Sequence, residues 1–148
     1  EKHMTQSPYL PGAPKSAREL NRQLGYEFKK LSTLELACIH KSFGNEHRAE
    51  ISIDARDNER LEFLGDAILD LSVSQILLER YPDSTEGDLS KLRAGLVNER
   101  MLARIARDIG LGDYIWLGKG EEQTGGRDKD SILASTFEAL IAALCLVP

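Results

Sequence analysis

Cysteine is scarce in this chain: Cys38 and Cys145 are the only two, and they have neither metal-type spacing nor a disulfide framework around them. Long apolar runs are missing as well. The longest, Ala139 to Val147, falls far short of the about 20 residues that a membrane span needs, so no membrane partner is expected. No secretory signal opens the chain, and a reducing cytoplasm is the expected setting. There is no excess of basic charge either. Nineteen Lys and Arg face 24 Asp and Glu, for a net charge of −5, which argues against holding a nucleic acid by bulk electrostatics. Nucleic-acid chemistry stays open, because metal-binding carboxylates belong to that negative count and basic residues can still group locally. What is present is 41% hydrophobic and 29% charged residue in a chain of 148, the profile of one globular domain with a proper core.

The chain begins with "EKHM" (1–4), which reads as an expression-vector scar with Met4 the native start, so His3 is set aside from any chemistry. "TQSPYLPGAPK" (5–15) holds three prolines and a glycine and reads as a mobile arm. Residues 16–148 make up the domain, and their punctuation is helical. Ser16 to Glu19 and Ser32 to Glu35 fit the capping box, in which a hydroxyl and a carboxylate satisfy free backbone donors reciprocally. They predict a short helix ending at Gly25 and a second running to about His40. Residues 44–57 are polar and irregular, with Ile51 and Ile53 a faint hint of strand. A long central helix follows over 58–81, stopped by Pro82. Thr85 to Asp88 is a further capping box, and Asn98 caps the next helix, which Gly110 ends. "YIWLGKG" (114–120) is the one decent strand candidate, "EEQTGGRDKD" (121–130) a polar loop, and Ser131 to Val147 the last helix. Six or so helices with almost no strand predict an all-α helical bundle around a long central buried helix.

The central helix raises a problem of charge. Within "NERLEFLGDAILDL" (58–71), a step of about 100° per residue puts Glu59, Glu62, Asp66 and Asp70 on one arc roughly 80° wide. Phe63, Val73 and Leu77 continue that arc, while Leu61, Leu64, Ile68, Leu71 and Leu78 cover the other side. A helix apolar all round is a buried one, so its acids need neutralising. The last helix, "SILASTFEALIAALCLV", repeats the problem with Glu138 as its only charge. Two neutralisers fit. Arg60, Arg93 and Arg127 are available as partners, and a divalent cation, most naturally Mg²⁺, takes oxygen ligands and keeps several waters. No His or Cys in these helices lies near the acids except Cys145, two turns past Glu138, which disfavours zinc. An oxygen-only site points to phosphoryl chemistry, in which Mg²⁺ activates water and stabilises the leaving oxygen. The residues alone leave both neutralisers open.

"NERLEFLGDAILDL", "EGDLSKLRAGLVN" and "GGRDKDSILASTFEALIAAL", preceded by "LGYEF" and "HKSF", resemble the endonuclease domain of bacterial ribonuclease III. The likeness covers most of residues 17–147, and "ERLEFLGDA" is a specific signature. It implies an all-helical homodimer that cleaves double-stranded RNA with Mg²⁺ (Mn²⁺ substituting), leaves 5′-phosphate and 3′-hydroxyl ends, and processes rRNA and mRNA precursors. Carried over by position, Glu62, Asp66 and Glu138 match the family's metal ligands, with Asp66 and Glu138 catalytic. Glu59 and Glu86 match acids near the dimer interface that line the catalytic valley, and Phe63 matches an aromatic inserted into the partner. His40 and Lys41 match a segment that contacts RNA. Arg127 and Lys129, just before a helix N-terminus, are further RNA-contact candidates.

One position departs from the family. Where an aspartate normally stands three residues before the last glutamate, this chain has Ser135, still on the metal-facing side at i, i+3 from Glu138. The rival expectation is therefore a catalytically impaired homologue kept as an RNA-binding or dimerisation module. Asp70 is read as solvated or as a support for the ligands. Arg100, Arg104 and Arg107 make a stripe at helical spacing that a solvated face explains as well as phosphate contacts do, and they are left out of the site. Whole enzymes of the family add a C-terminal double-stranded-RNA-binding domain. This chain stops in "LCLVP", so it is expected to be the catalytic domain alone and to bind RNA weakly.

Overall fold

The computed structural model describes residues 14–28 and 30–146. Among them the chain forms α1 (Ala17–Leu24), α2 (Leu31–Ala37), α3 (Lys41–Glu46), α4 (Glu59–Arg80), α5 (Glu86–Leu96), α6 (Glu99–Asp108), α7 (Lys119–Gln123) and α8 (Asp130–Cys145). Single 3-10 turns lie at Ile53–Ala55, Leu111–Tyr114 and Gly126–Asp128. The all-α expectation holds. The expected scar and most of the expected arm lie outside the described residues. At its end the arm is tied down, since Lys15 donates its backbone N–H to the Asp113 carbonyl at 2.9 Å and its ammonium pairs with the Asp113 carboxylate at 3.0 Å.

Most boundaries follow from local chemistry. The capping boxes of Ser16 with Glu19 and of Thr85 with Asp88 both form, Asn98 accepts from the Met101 N–H, and Gly25 and Gly110 take the left-handed conformation just past their helices. Three expectations fail. Ser32 does not cap α2, which starts two residues earlier than that cap predicts, after Lys30 with no side-chain cap, and ends at Ala37, short of His40. "YIWLGKG" is not a strand: it starts in a 3-10 turn, crosses one isolated parallel bridge between Ile39 and Trp116, and ends in α7. Within residues 44–57, Ile53 stands 76% exposed in a 3-10 turn and not in a strand. A bridge of one residue pair has no neighbouring strand to extend it, so β-propensity alone had nothing to act on.

The core is built around α8, whose Ile132, Leu133, Ala134, Ala139, Leu140, Ala142 and Ala143 are buried, and whose Thr136 hydroxyl is satisfied by the Ile132 carbonyl at 2.8 Å. α8 is packed mainly between α4 and α6. Buried Asn58 anchors the start of α4. It donates from its side chain to the Ala37 carbonyl (2.8 Å) and from its backbone to the Ile39 carbonyl (2.9 Å). The central helix itself is not buried all round. Only Leu61, Gly65 and Leu77 are buried, while Phe63 (81%), Leu71 (70%) and Leu78 (65%) lie open in the single chain.

Candidate metal centre

A cavity of about 310 Å³ opens where α4, α6 and α8 meet. Glu62, Asp66 and Asp70 line it from α4, Glu99 from α6, and Ser135 and Glu138 from α8. Spacings of four along α4 and three along α8 stack these side chains on facing stripes. The two stripes meet because the helix backbones touch. A Cβ built on Gly65 would stand 1.7 Å from the Glu138 carbonyl oxygen, so only glycine permits this crossing. Sequence reasoning passed over Gly65; the signal it offered was a glycine inside a long helix, beside an acid of the signature.

Inside the cavity the Ser135 hydroxyl donates to Glu62 Oε1 at 2.9 Å, which orients that carboxylate. Half-burial pushes the Glu138 carboxyl up to about 7, and the charges of Asp66, Glu62 and Asp70 add to the effect in that order. Asp70 is thus part of the cavity's electrostatics, and Glu99, which the sequence pattern did not single out, is part of its wall. The acids are less enclosed than the apolar pattern of α4 implied. Glu62 and Glu138 are half-buried, and Asp66 is exposed.

The arginine alternative fails. Among the described residues, the ion pairs are Lys15–Asp113, Lys41–Glu59, Arg107–Asp130, Arg127–Glu122 and Lys129–Glu121, and none reaches a cavity acid. Arg93 donates instead to the Ser74 hydroxyl at 2.9 Å. Mutually repelling carboxylates without a cationic neighbour, presenting oxygen only, fit a hard divalent cation. Among the described residues no three His, Cys, Asp or Glu side chains are drawn together tightly enough to hold one as they stand.

The other singled-out residues lie outside this cavity. Glu59 and Lys41 pair at 3.0 Å on the surface, and exposed Glu86 accepts from the Ser90 hydroxyl at 2.6 Å. His40 accepts the Ser42 N–H at its Nδ1 (3.2 Å) and so caps the start of α3; burial lowers its pKa. The Arg127 guanidinium is spent inside the protein, on both Glu122 oxygens and the carbonyls of Gly112 (2.7 Å) and Ile115 (2.8 Å). Lys129 reaches Glu121 and the Thr124 hydroxyl.

A family model described as Ribonuclease-III-like matches residues 30–147. Ribonuclease 3 of Syntrophobacter fumaroxidans is 51% identical over 127 residues, 86% of this chain and 51% of that protein. Ribonuclease 3 of Geobacter metallireducens is 50% identical over 131 residues, 88% of this chain and 52% of that protein. The chain thus spans about half the length of these curated relatives. A solved nuclease domain of ribonuclease III from Campylobacter jejuni superposes with a TM-score of 0.80 at 45% identity, covering 89% of this chain and 86% of that one. That structure is described as flexible in a region involved in dimer formation. This chain therefore belongs to the ribonuclease-III-like family and has the fold of its nuclease domain.

Proposed function

We propose that the chain is the catalytic domain of an endoribonuclease that hydrolyses phosphodiester bonds of double-stranded RNA, with Mg²⁺ held by Glu62, Asp66 and Glu138 and flanked by Ser135. One observation carries this reading: three carboxylates at the family's ligand positions share one cavity that no cationic side chain enters. When bound, the cation supplies an activated water and neutralises charge on the leaving oxygen. The protein's own part is positional. Gly65 brings α4 against α8, Ser135 holds Glu62 in place, and burial with the neighbouring acids raises Glu138 so that it is only partly ionised near pH 7.

The family likeness extends the reading to 5′-phosphate and 3′-hydroxyl products and to rRNA and mRNA precursors in the cytoplasm. Exposed Lys41 can exchange its surface carboxylate for an RNA phosphate at little cost, since exposed ion pairs contribute at most about 1 kcal/mol, and exposed Lys129 is the second candidate. Arg127 and His40, the other RNA-contact candidates, bond to the protein's own groups and are the weaker pair. A homodimer follows from the open apolar side of α4: Phe63, Leu71 and Leu78 are anchors without a pocket in one copy. In such a dimer Glu59 and Glu86 would border the valley between the two cavities.

A second reading has its own observation. Ser135 supplies a hydroxyl where the family has a carboxylate and spends its proton on Glu62, which favours an impaired homologue kept for RNA binding or dimerisation. Incubating labelled duplex RNA with the protein and Mg²⁺, Mn²⁺ or EDTA separates the two. Metal-dependent cutting of both strands is the expected result; duplex binding without cutting in either metal would establish the impaired homologue instead.

A further inference from the structure

A duplex RNA that reaches the acid cavity brings its own phosphates against several carboxylates, on a protein whose net charge is already −5. Approach therefore needs positive charge beside the cavity. A second, larger cavity of about 450 Å³ adjoins the first and shares Asn98 with it as a dividing wall. Arg100, Arg104 and Arg107 line it from α6, and Gly95 and Asp130 from the ends of α5 and α8. Asn98 keeps the wall rigid. Its side chain accepts from the Met101 N–H at 3.0 Å and donates to the Ala94 and Gly95 carbonyls at 2.9 and 3.2 Å, joining α5 to α6.

The three arginines are not equivalent. Arg107 is held by the Asp130 carboxylate at 2.5 Å and the Asp128 carbonyl at 2.7 Å, so its charge is already matched. Among the described residues Arg100 and Arg104 form no ion pair, although both are exposed and one helical turn apart. At Gly95 a Cβ would meet nothing within 4 Å, so that edge is open to an incoming chain. Two guanidiniums one helical turn apart, without an ion pair among the described residues and beside a cavity of acids, suit the phosphates of a nucleic-acid strand.

We propose that Arg100 and Arg104 form a phosphate-binding wall that holds the backbone of the RNA strand next to the acid cavity. This rests on the reading of the chain as a duplex-RNA nuclease. The arginines are positioning residues: they contact backbone, not the scissile bond, and carry no sequence preference.

The test is filter binding of labelled duplexes of two unrelated sequences to the Arg100→Gln/Arg104→Gln double variant in Ca²⁺, at several salt concentrations. Affinity should fall about tenfold for both duplexes, and the slope of log K against log salt should shrink by about 2, one for each phosphate that is no longer neutralised. The Arg100→Lys/Arg104→Lys variant should recover the slope, and cleavage at saturating RNA should keep its kcat. An unchanged slope in the glutamine variant overturns the proposal, as does a changed oligomeric state with unchanged binding, which would make the groove a protein contact. If the parent protein binds no duplex at all, the nuclease reading falls first and takes this proposal with it.

Discussion

Half-burial and the carboxylates of Asp66, Glu62 and Asp70 bring Glu138 to its titration midpoint at about 7. Because this folded-state value lies above the ordinary 4.5, the acid binds more protons folded than unfolded. Its contribution to stability is complete below the ordinary value and is lost as pH rises toward 7. In EDTA, melting temperatures should therefore decline between about pH 5 and pH 8, and Glu138→Gln should flatten that decline. The same variant should lose cleavage by more than the roughly 100-fold that even an outer partner of a metal ligand is worth. Ser135→Asp tests the neighbouring position. Without metal it removes a hydrogen bond to a charged acceptor and adds a like charge beside Glu62, which should lower stability by roughly 2 kcal/mol. With Mg²⁺ the sign should reverse, and cleavage should half-saturate at lower Mg²⁺. Melting curves with and without EDTA, beside a Mg²⁺ titration of cleavage, check both halves.

At the scale of the helix, the crossing of α4 over α8 decides whether those residues meet. Gly65→Ala puts a methyl into the Glu138 carbonyl, and backbone atoms cannot yield as a flexible side chain does. Urea unfolding of this variant should show a loss of at least about 3 kcal/mol, the upper range for overpacking. A smaller loss would mean that the helices can separate cheaply. Helix identity was legible in the sequence because caps are local. Ser16 with Glu19, Thr85 with Asp88, and Asn98 act on backbone groups within a few residues of themselves. α3 was not foreseen, because its cap is the imidazole of His40, accepting from the Ser42 N–H. Histidine is not among the residues that usually mark a helix start.

Across the whole molecule, α5 packs against α4 and exposes Leu92 and Leu96 as well. In the proposed homodimer a second copy of the chain would cover these side chains, since a two-fold axis needs only one self-complementary patch. Light scattering at micromolar concentration should give twice the 16.5 kDa chain mass. Phe63→Ala should weaken the pairing by roughly 2 kcal/mol, about 30-fold in Kd, read by sedimentation equilibrium. A 16.5 kDa species alone would remove the homodimer from the proposal.

The sequence by itself determined the helical class, most helix ends and the acidic set, because capping and i, i+4 spacing depend on residues close in the chain. It misjudged α4 as buried all round, because an apolar surface carries no mark of whether its own chain or another covers it. The tertiary structure alone decided that Glu62 and Asp66 face Ser135 and Glu138, that Asp70 and Glu99 join them, and that Arg100 and Arg104 stand beside the same cavity. Those neighbours lie on three helices distant in sequence. Their meeting depends on how closely α4 and α8 can approach, and that limit is set by the missing side chain of Gly65.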